Sequence, residues 1–250
     1  MPPWRIVRLL AGFAILSQLP AQTADQHVDQ PVARTDKNSQ IAHEQLLAKR
    51  KQGRIDVYFE GDSITRRWGA TDYPQLLENW KKNFFGWNAA DFGWGADRVE
   101  NILWRLENGE LDDVNPKVIV LLAGTNNVGN RAGDVTGGLA AVLRVMRAKA
   151  PDAVIILMGI FPRYDNRAVM PEIDAINANL ATMADGRGIR YLNINGRLYA
   201  GLLNATDKLH PTAEGYQVWA DALKPVLTEL LGPPATEDHA PPPTGDPSAH

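Results

Sequence analysis

The 250-residue chain contains no cysteine. That excludes disulfides, thiolate nucleophiles, Fe–S clusters and Cys-based zinc sites together, and leaves the redox compartment open. It also lacks a surplus of positive charge. Twenty-six Lys and Arg against 29 Asp and Glu give a formal net charge of -3, which supplies no field for a phosphate backbone and makes nucleic acid an unexpected partner. Neither a P-loop nor a G-x-S-x-G elbow is present. Two polar residue types are nearly missing from the body: Ser63 is the one serine between residues 40 and 247, and His210 the one histidine between residues 44 and 238. With 44% hydrophobic and 22% charged residues, collagen-like, wholly disordered and polytopic membrane chains are excluded, and one compact body is expected.

No apolar run reaches the ~20 residues that a hydrocarbon core requires. The run from Leu9 to Leu19 follows Arg5 and Arg8 with no acid between. This is the pattern of a secretory signal over residues 1–24, which implies a periplasmic or secreted protein without stable membrane insertion. A buried first helix and an uncleaved anchor are the alternatives. Residues 25–38 are polar and aperiodic and predict a flexible spacer. Residues 233–250 hold six prolines in 18 positions and predict a disordered tail, leaving 39–232 as the folded domain.

Within that domain, apolar runs at 55–59, 88–93, 117–124, 153–160 and 189–194 alternate with amphipathic stretches. Continuous Val/Ile/Leu, in place of strict alternation, marks strands covered on both faces. The fold class predicted is therefore α/β: a three-layer α/β/α sandwich around a five-stranded parallel sheet. Helices are predicted over 98–106, with Asp97 and Glu100 as a capping-box-like start, over 137–149 and 171–184, and from just after Pro211 to Leu231.

In such folds the reactive groups sit at the carboxyl ends of strands. Ser63 falls just past the first strand, and His210 between the last strand and the last helix. Serine hydrolysis needs a nucleophile, a base, a group that orients the base, and donors for the oxyanion. Asp207 lies three residues before His210, and Pro211 biases His210 away from helical geometry, so carboxylate and imidazole can meet in an extended turn. Asn126 and Asn127 follow the third strand, where an amide NH₂ can face the nucleophile. For each residue a plainer role exists: Ser63 as a helix cap, Asp207 as a solvated carboxylate, the asparagines as turn residues. Trp68 and Trp94 flank the same loops, as a platform for a sugar ring or as core.

Together and in this order, Gly61-Asp62-Ser63, Asp91-Phe92-Gly93-Trp94-Gly95-Ala96-Asp97, Gly124-Thr125-Asn126-Asn127 and Asp207-Lys208-Leu209-His210 resemble the blocks of the SGNH (GDSL) hydrolase superfamily across about residues 55–231. The stretch LWRLENGEL at 103–111 is similar to the catalytic subunits of platelet-activating-factor acetylhydrolases and to bacterial esterases. The resemblance implies a flavodoxin-like fold and a carboxylic ester hydrolase. Its catalytic residues are Ser63, Asp207 and His210, its oxyanion donors the Ser63 and Ala96 N–H groups and the Asn126 side chain, and its substrate contacts Asp62, Trp94 and Asn127. No cofactor and no metal are implied. The substrate expected is a short acyl ester, acetyl on a carbohydrate first and an acetylated or lyso-phospholipid second; a silent carbohydrate-binding module is the competitor. One position departs from the pattern: Ala96 stands where the superfamily carries glycine, which distorts the hole if that residue needs a positive φ.

Overall fold

The computed structural model describes residues 27–247. The expected signal segment and its cleavage site lie outside the described residues. Five strands, β1 (Val57–Gly61), β2 (Ala89–Asp91), β3 (Val118–Leu122), β4 (Val154–Met158) and β5 (Ile189–Leu192), form one sheet in the order β2-β1-β3-β4-β5. Every neighbouring pair is parallel. The period of two along each strand divides the core between both faces. Tyr58, Ile119, Leu121 and Ile155 join α4 (Val99–Arg105), α5 (Ala132–Lys149) and α6 (Met170–Ala181) on one side. Val57, Phe59, Val118, Val120 and Ile156 join α2 (Ser63–Gly69), α3 (Pro74–Phe84) and α7 (Ala213–Leu231) on the other. This is the α/β/α sandwich expected from the continuous apolar runs, and its strand order puts a topological switch point between β1 and β3.

Three helices have no range predicted from the sequence. The first, α1 (Lys37–Lys49), begins where Asp36 accepts the Ser39 N–H, and it buries Ala42 and Leu46. The others are α2 and α3, the latter with Pro at its start. Helix α4 is capped differently from the prediction: the Arg98 N–H donates to Asn101, while Asp97 is drawn into the interior by Arg105. The chain then continues as a wider π-helical turn over Leu106–Glu110.

Both expected flexible ends depart from expectation over the described residues. In place of a spacer, Val28 is buried against Gly138, the Val32 N–H donates to Glu100 O, and Arg34 reaches Asp97. In place of a disordered tail, the segment past Gly232 lies along the β2 side. The Ala235 N–H donates to Gly86 O, the Arg54 N–H to His239 O and the Thr71 N–H to Thr244 O. Proline-rich chain still has carbonyls to offer, and these satisfy loop N–H groups that no other element reaches. Among the described residues no helix is long and apolar enough to cross a membrane.

Candidate active site

Ser63 opens α2 directly after β1. Asp62, extended and fully buried, accepts the Ile64 N–H at 2.9 Å and so caps that helix. From the far end of the chain, the loop before α7 brings His210 onto Ser63: Nε2 lies 2.9 Å from Ser63 Oγ, and Nδ1 lies 2.9 Å from Asp207 Oδ2. A carboxylate only accepts, so the Asp207 contact protonates Nδ1 and leaves Nε2 free to receive the serine hydroxyl.

The Asp207–His210 loop is held in place by its own backbone. Asp207 Oδ1 accepts the Leu209 and His210 N–H groups, each at 3.0 Å. Lys208 takes a left-handed φ of 51°, and its N–H and the Asn204 N–H close the loop through Asn204 O and His210 O. Burial opposes charge on Asp207, but the His210 and Leu209 N–H groups and the imidazole outweigh it and hold the carboxyl at about 2. His210 is lowered from its ordinary 6.5, first by burial and then by the charge of Arg67, with Asp207 opposing. The imidazole is therefore neutral and basic at neutral pH.

Arg67 is a site residue that sequence reasoning missed. It sits four residues after Ser63 on α2, hence on the same helical face, and its Nη1 donates to Asp207 Oδ2 at 3.2 Å. One side chain thus ties α2 to the Asp207 loop. The i, i+4 spacing was the available signal. Arg163, after β4, is a second missed neighbour: its Nη1 donates to Thr125 O at 3.2 Å while Asp165 holds the rest of its guanidinium.

Around Ser63 the donors expected for an oxyanion fall into two groups. The Ser63 and Ala96 N–H groups carry no partner among the described residues. The Asn126 amide spends one of its two hydrogens on Asp97 O at 2.8 Å, which aligns it and leaves the other available. Its loop departs from Gly124 at a φ of 111°, where a Cβ would stand 2.7 Å from Ile160 Cδ1.

Ala96 has a φ of +60°, the left-handed region that favours glycine. The exposed turn adopts it because both flanks are anchored: the Trp94 N–H donates to Gly61 O at 3.0 Å, and Asp97 is held by Arg105 at 2.7 Å. Left-handed geometry costs an L-residue roughly 1–2 kcal/mol. Ala96→Gly removes that strain but frees the unfolded chain by about 0.4–1 kcal/mol. The expected result is a small net gain, at most a few degrees in Tm by differential scanning calorimetry, with kcat retained. A drop of several degrees would contradict the left-handed turn.

Two residues expected at the substrate, Asp62 and Asn127, do other work, and Trp68 takes the core role of the two open to it. Asp62 is the helix cap just described, and burial pushes its carboxyl up to about 7. Asn127 is fully buried: its Oδ1 accepts the Val99 N–H and its Nδ2 donates to Glu100, which splices the loop after β3 to the start of α4. Trp68 stacks on Tyr216 inside the core and is 0% exposed. Trp94 alone of the two tryptophans is half-buried at the surface, its indole donating to Ser39 Oγ at 2.8 Å. No group of His, Asp and Glu able to hold a metal ion occurs among the described residues.

Beneath the site lies a charged cluster that the apolar pattern of α4 concealed. Arg105 is 3% exposed and donates to Glu60 at 2.6 Å, to Asp97 at 2.7 Å, to Glu110 and to Phe92 O. Tyr58 caps Glu60 from above, and His43 meets Glu110 at 2.6 Å.

The model of the GDSL-like lipase/acylhydrolase family matches residues 59–218, and the chain belongs to that family: it is a carboxylic ester hydrolase of the SGNH superfamily. Among curated proteins it is 32% identical over 199 residues to platelet-activating factor acetylhydrolase IB subunit alpha2 of Rattus norvegicus, covering 76% of this chain and 83% of that one. The Homo sapiens counterpart is 31% identical over the same coverage. Among solved structures, a platelet activating factor protein from Streptococcus pneumonia superposes with a TM-score of 0.63 at 20% identity, covering 76% of this chain and 93% of that one. A carbohydrate esterase of family 3 from Talaromyces cellulolyticus does so with 0.54 at 19%, covering 70% and 97%. At those identities the structural likeness speaks for the fold alone.

Proposed function

We propose that the chain is a serine esterase that removes short acyl groups, acetyl foremost, from a carbohydrate through Ser63, His210 and Asp207. The observation that carries this reading is the unbroken relay of two 2.9 Å contacts from Oγ to imidazole to carboxylate. As Ser63 Oγ attacks the ester carbonyl, its proton passes to His210 Nε2 and the carbonyl oxygen becomes an oxyanion. The N–H groups of Ser63 and Ala96 and the Asn126 amide face that charge, each donor being worth ~3 kcal/mol in this role. Collapse expels the alcohol with the proton from His210. Water, deprotonated by the same imidazole, then releases the acid and restores Ser63. Asp207 holds the tautomer throughout, and Arg67 holds Asp207.

Similarity to acetylhydrolase subunits favours a second reading, an acetylated or lyso-phospholipid as substrate. Export to the periplasm or medium, implied by the leader-like residues 1–24, fits an external polymer better. A silent binding module on this scaffold would have no need of an assembled relay. The test is a fluorophosphonate probe followed by a panel of p-nitrophenyl esters from acetate to laurate beside acetylated xylan and lysophospholipid. Stoichiometric labelling of Ser63 with acetate preferred is expected. Folded protein that takes no label would refute the proposal.

A further inference from the structure

The cavity on the far side of Trp94 from the core is the feature that the ester chemistry leaves unused. It encloses about 240 Å³ between Trp94 and Trp104, with His43, Gln40 and Glu44 of α1 along one side and Arg34 at the rim. Trp104 comes from α4, and its ring meets His43 at 4.9 Å between centroids, tilted by 56°. Each ring is fixed from behind. Trp94 Nε1 is bonded to Ser39 Oγ, and His43 Nδ1 to the buried Glu110, which turns Nε2 to the opposite edge of the imidazole. A wider cavity of about 510 Å³ shares Arg34 and Asn101 as walls and runs on to Ala96 and Arg98. The two cavities share a wall, and the second reaches the turn that bears the proposed oxyanion donor. Trp94 is bound into that same neighbourhood, its N–H donating to Gly61 O two residues before Ser63.

We propose that this cavity is a subsite for a sugar ring of the alcohol part of the substrate, a neighbour of the acylated unit along an oligosaccharide. This inference rests on the esterase reading and names its substrate. A pyranose has apolar C–H faces and an equator of hydroxyls, and its complement is an aromatic wall edged by donors and acceptors. Trp94 and Trp104 supply the wall, and Arg34, Gln40, Glu44 and His43 Nε2 the edge. An acyl or alkyl chain would fill the wall but use none of this polar edge. The aromatic partner of Trp94 is thus Trp104, in place of the core residue Trp68.

The test combines binding and kinetics in the full chain. Ser63→Ala protein is titrated with xylohexaose, cellohexaose and chitohexaose, reading tryptophan fluorescence. Saturable binding of at least one is expected, weakened about tenfold by a further Trp104→Ala or Gln40→Ala change. In parallel, single Trp104→Ala and Gln40→Ala enzymes are assayed on the acetylated form of that oligosaccharide and on p-nitrophenyl acetate. The ratio of kcat/KM between the two esters should fall about tenfold, through KM of the oligosaccharide. Gln40 is exposed on α1, so its variant covers any folding defect of Trp104→Ala. Absence of binding by all three oligosaccharides, binding untouched by both changes, or binding of choline phosphate in their place would overturn the subsite. Wild-type protein that hydrolyses neither ester defeats the esterase reading instead, while the titration still decides the cavity.

Discussion

Ser63→Ala is expected to lower kcat by about 10⁴- to 10⁶-fold while leaving the melting temperature in place. The relay has one nucleophilic oxygen, and the body of the chain offers no second serine to replace it. Stability should be spared because the hydroxyl is half-buried and its one hydrogen-bond partner is His210. Burst and steady-state kinetics with p-nitrophenyl acetate, beside a thermal melt, check both halves. Retention of a few per cent of activity would remove Ser63 from the chemistry. The same relay sets the pH profile. His210 is lowered below 6.5, first by burial and next by Arg67, with Asp207 raising it and Arg163 lowering it further. The acid limb of kcat/KM, where the imidazole gains its proton and activity disappears, should therefore lie below pH 6.5. Arg67→Gln removes a positive charge from that environment, so the limb should move upward; a limb that stays put would deny Arg67 its electrostatic role.

Arg105→Leu is expected to cost about 3–5 kcal/mol of stability, a loss of about 10 °C or more in Tm. The Arg105 side chain is 4% exposed and those of its three acidic partners, Glu60, Asp97 and Glu110, are all 0% exposed. Without it, Glu60 and Glu110 share a dry interior with no Lys or Arg in contact, and Asp97 keeps only Arg34 at 3.3 Å. The loss should also reach catalysis, since Arg105 anchors Asp97 and Asp97 anchors the Ala96 turn. Burial raises Glu60 against the opposing pull of Arg105, and it pushes Asp97 up to about 6. Acids raised in the folded state hold protons there that the unfolded chain has released. Their contribution to stability is greatest below the ordinary carboxylate range and is lost as pH rises through the folded values. Unfolding at about pH 5 and about pH 8 should show the decline, steeper in Arg105→Leu. Glu60→Gln, which keeps the shape and discards one charge, should flatten it. Stability that rises across this window would contradict the charge state assigned to the cluster.

The strands were legible because each is covered on both faces, which leaves five nearly continuous apolar runs. Ser63, Asp207 and His210 were legible because the chain is so poor in serine and histidine, and because both segments follow strand ends. Residue type alone misled elsewhere. Asp62 and Asn127 have the chemistry of a binding site, yet the same hydrogen-bonding groups are consumed by the Ile64 and Val99 N–H groups of two helix starts. Trp68 and Trp94 look alike as letters, but the turn of α2 points Trp68 into the core while a loop leaves Trp94 at the surface. Arg105 sits on a helix face that apolar periodicity assigns to the core, and only its three acids explain why a charge is tolerated there. Helix α1 and the ordered ends were hidden because short polar segments gain order from what they touch, with few apolar contacts of their own.

By itself the order of residues determined the layered architecture and singled out the candidate reacting groups, since alternation of apolar runs and the rarity of a residue are local properties. The tertiary structure alone decided that Arg67 shares Asp207, that Ala96 turns left-handed, and that Trp104 and Trp94 line one cavity. These depend on which loops the parallel sheet brings side by side, a matter of distance in space that spacing along the chain does not encode.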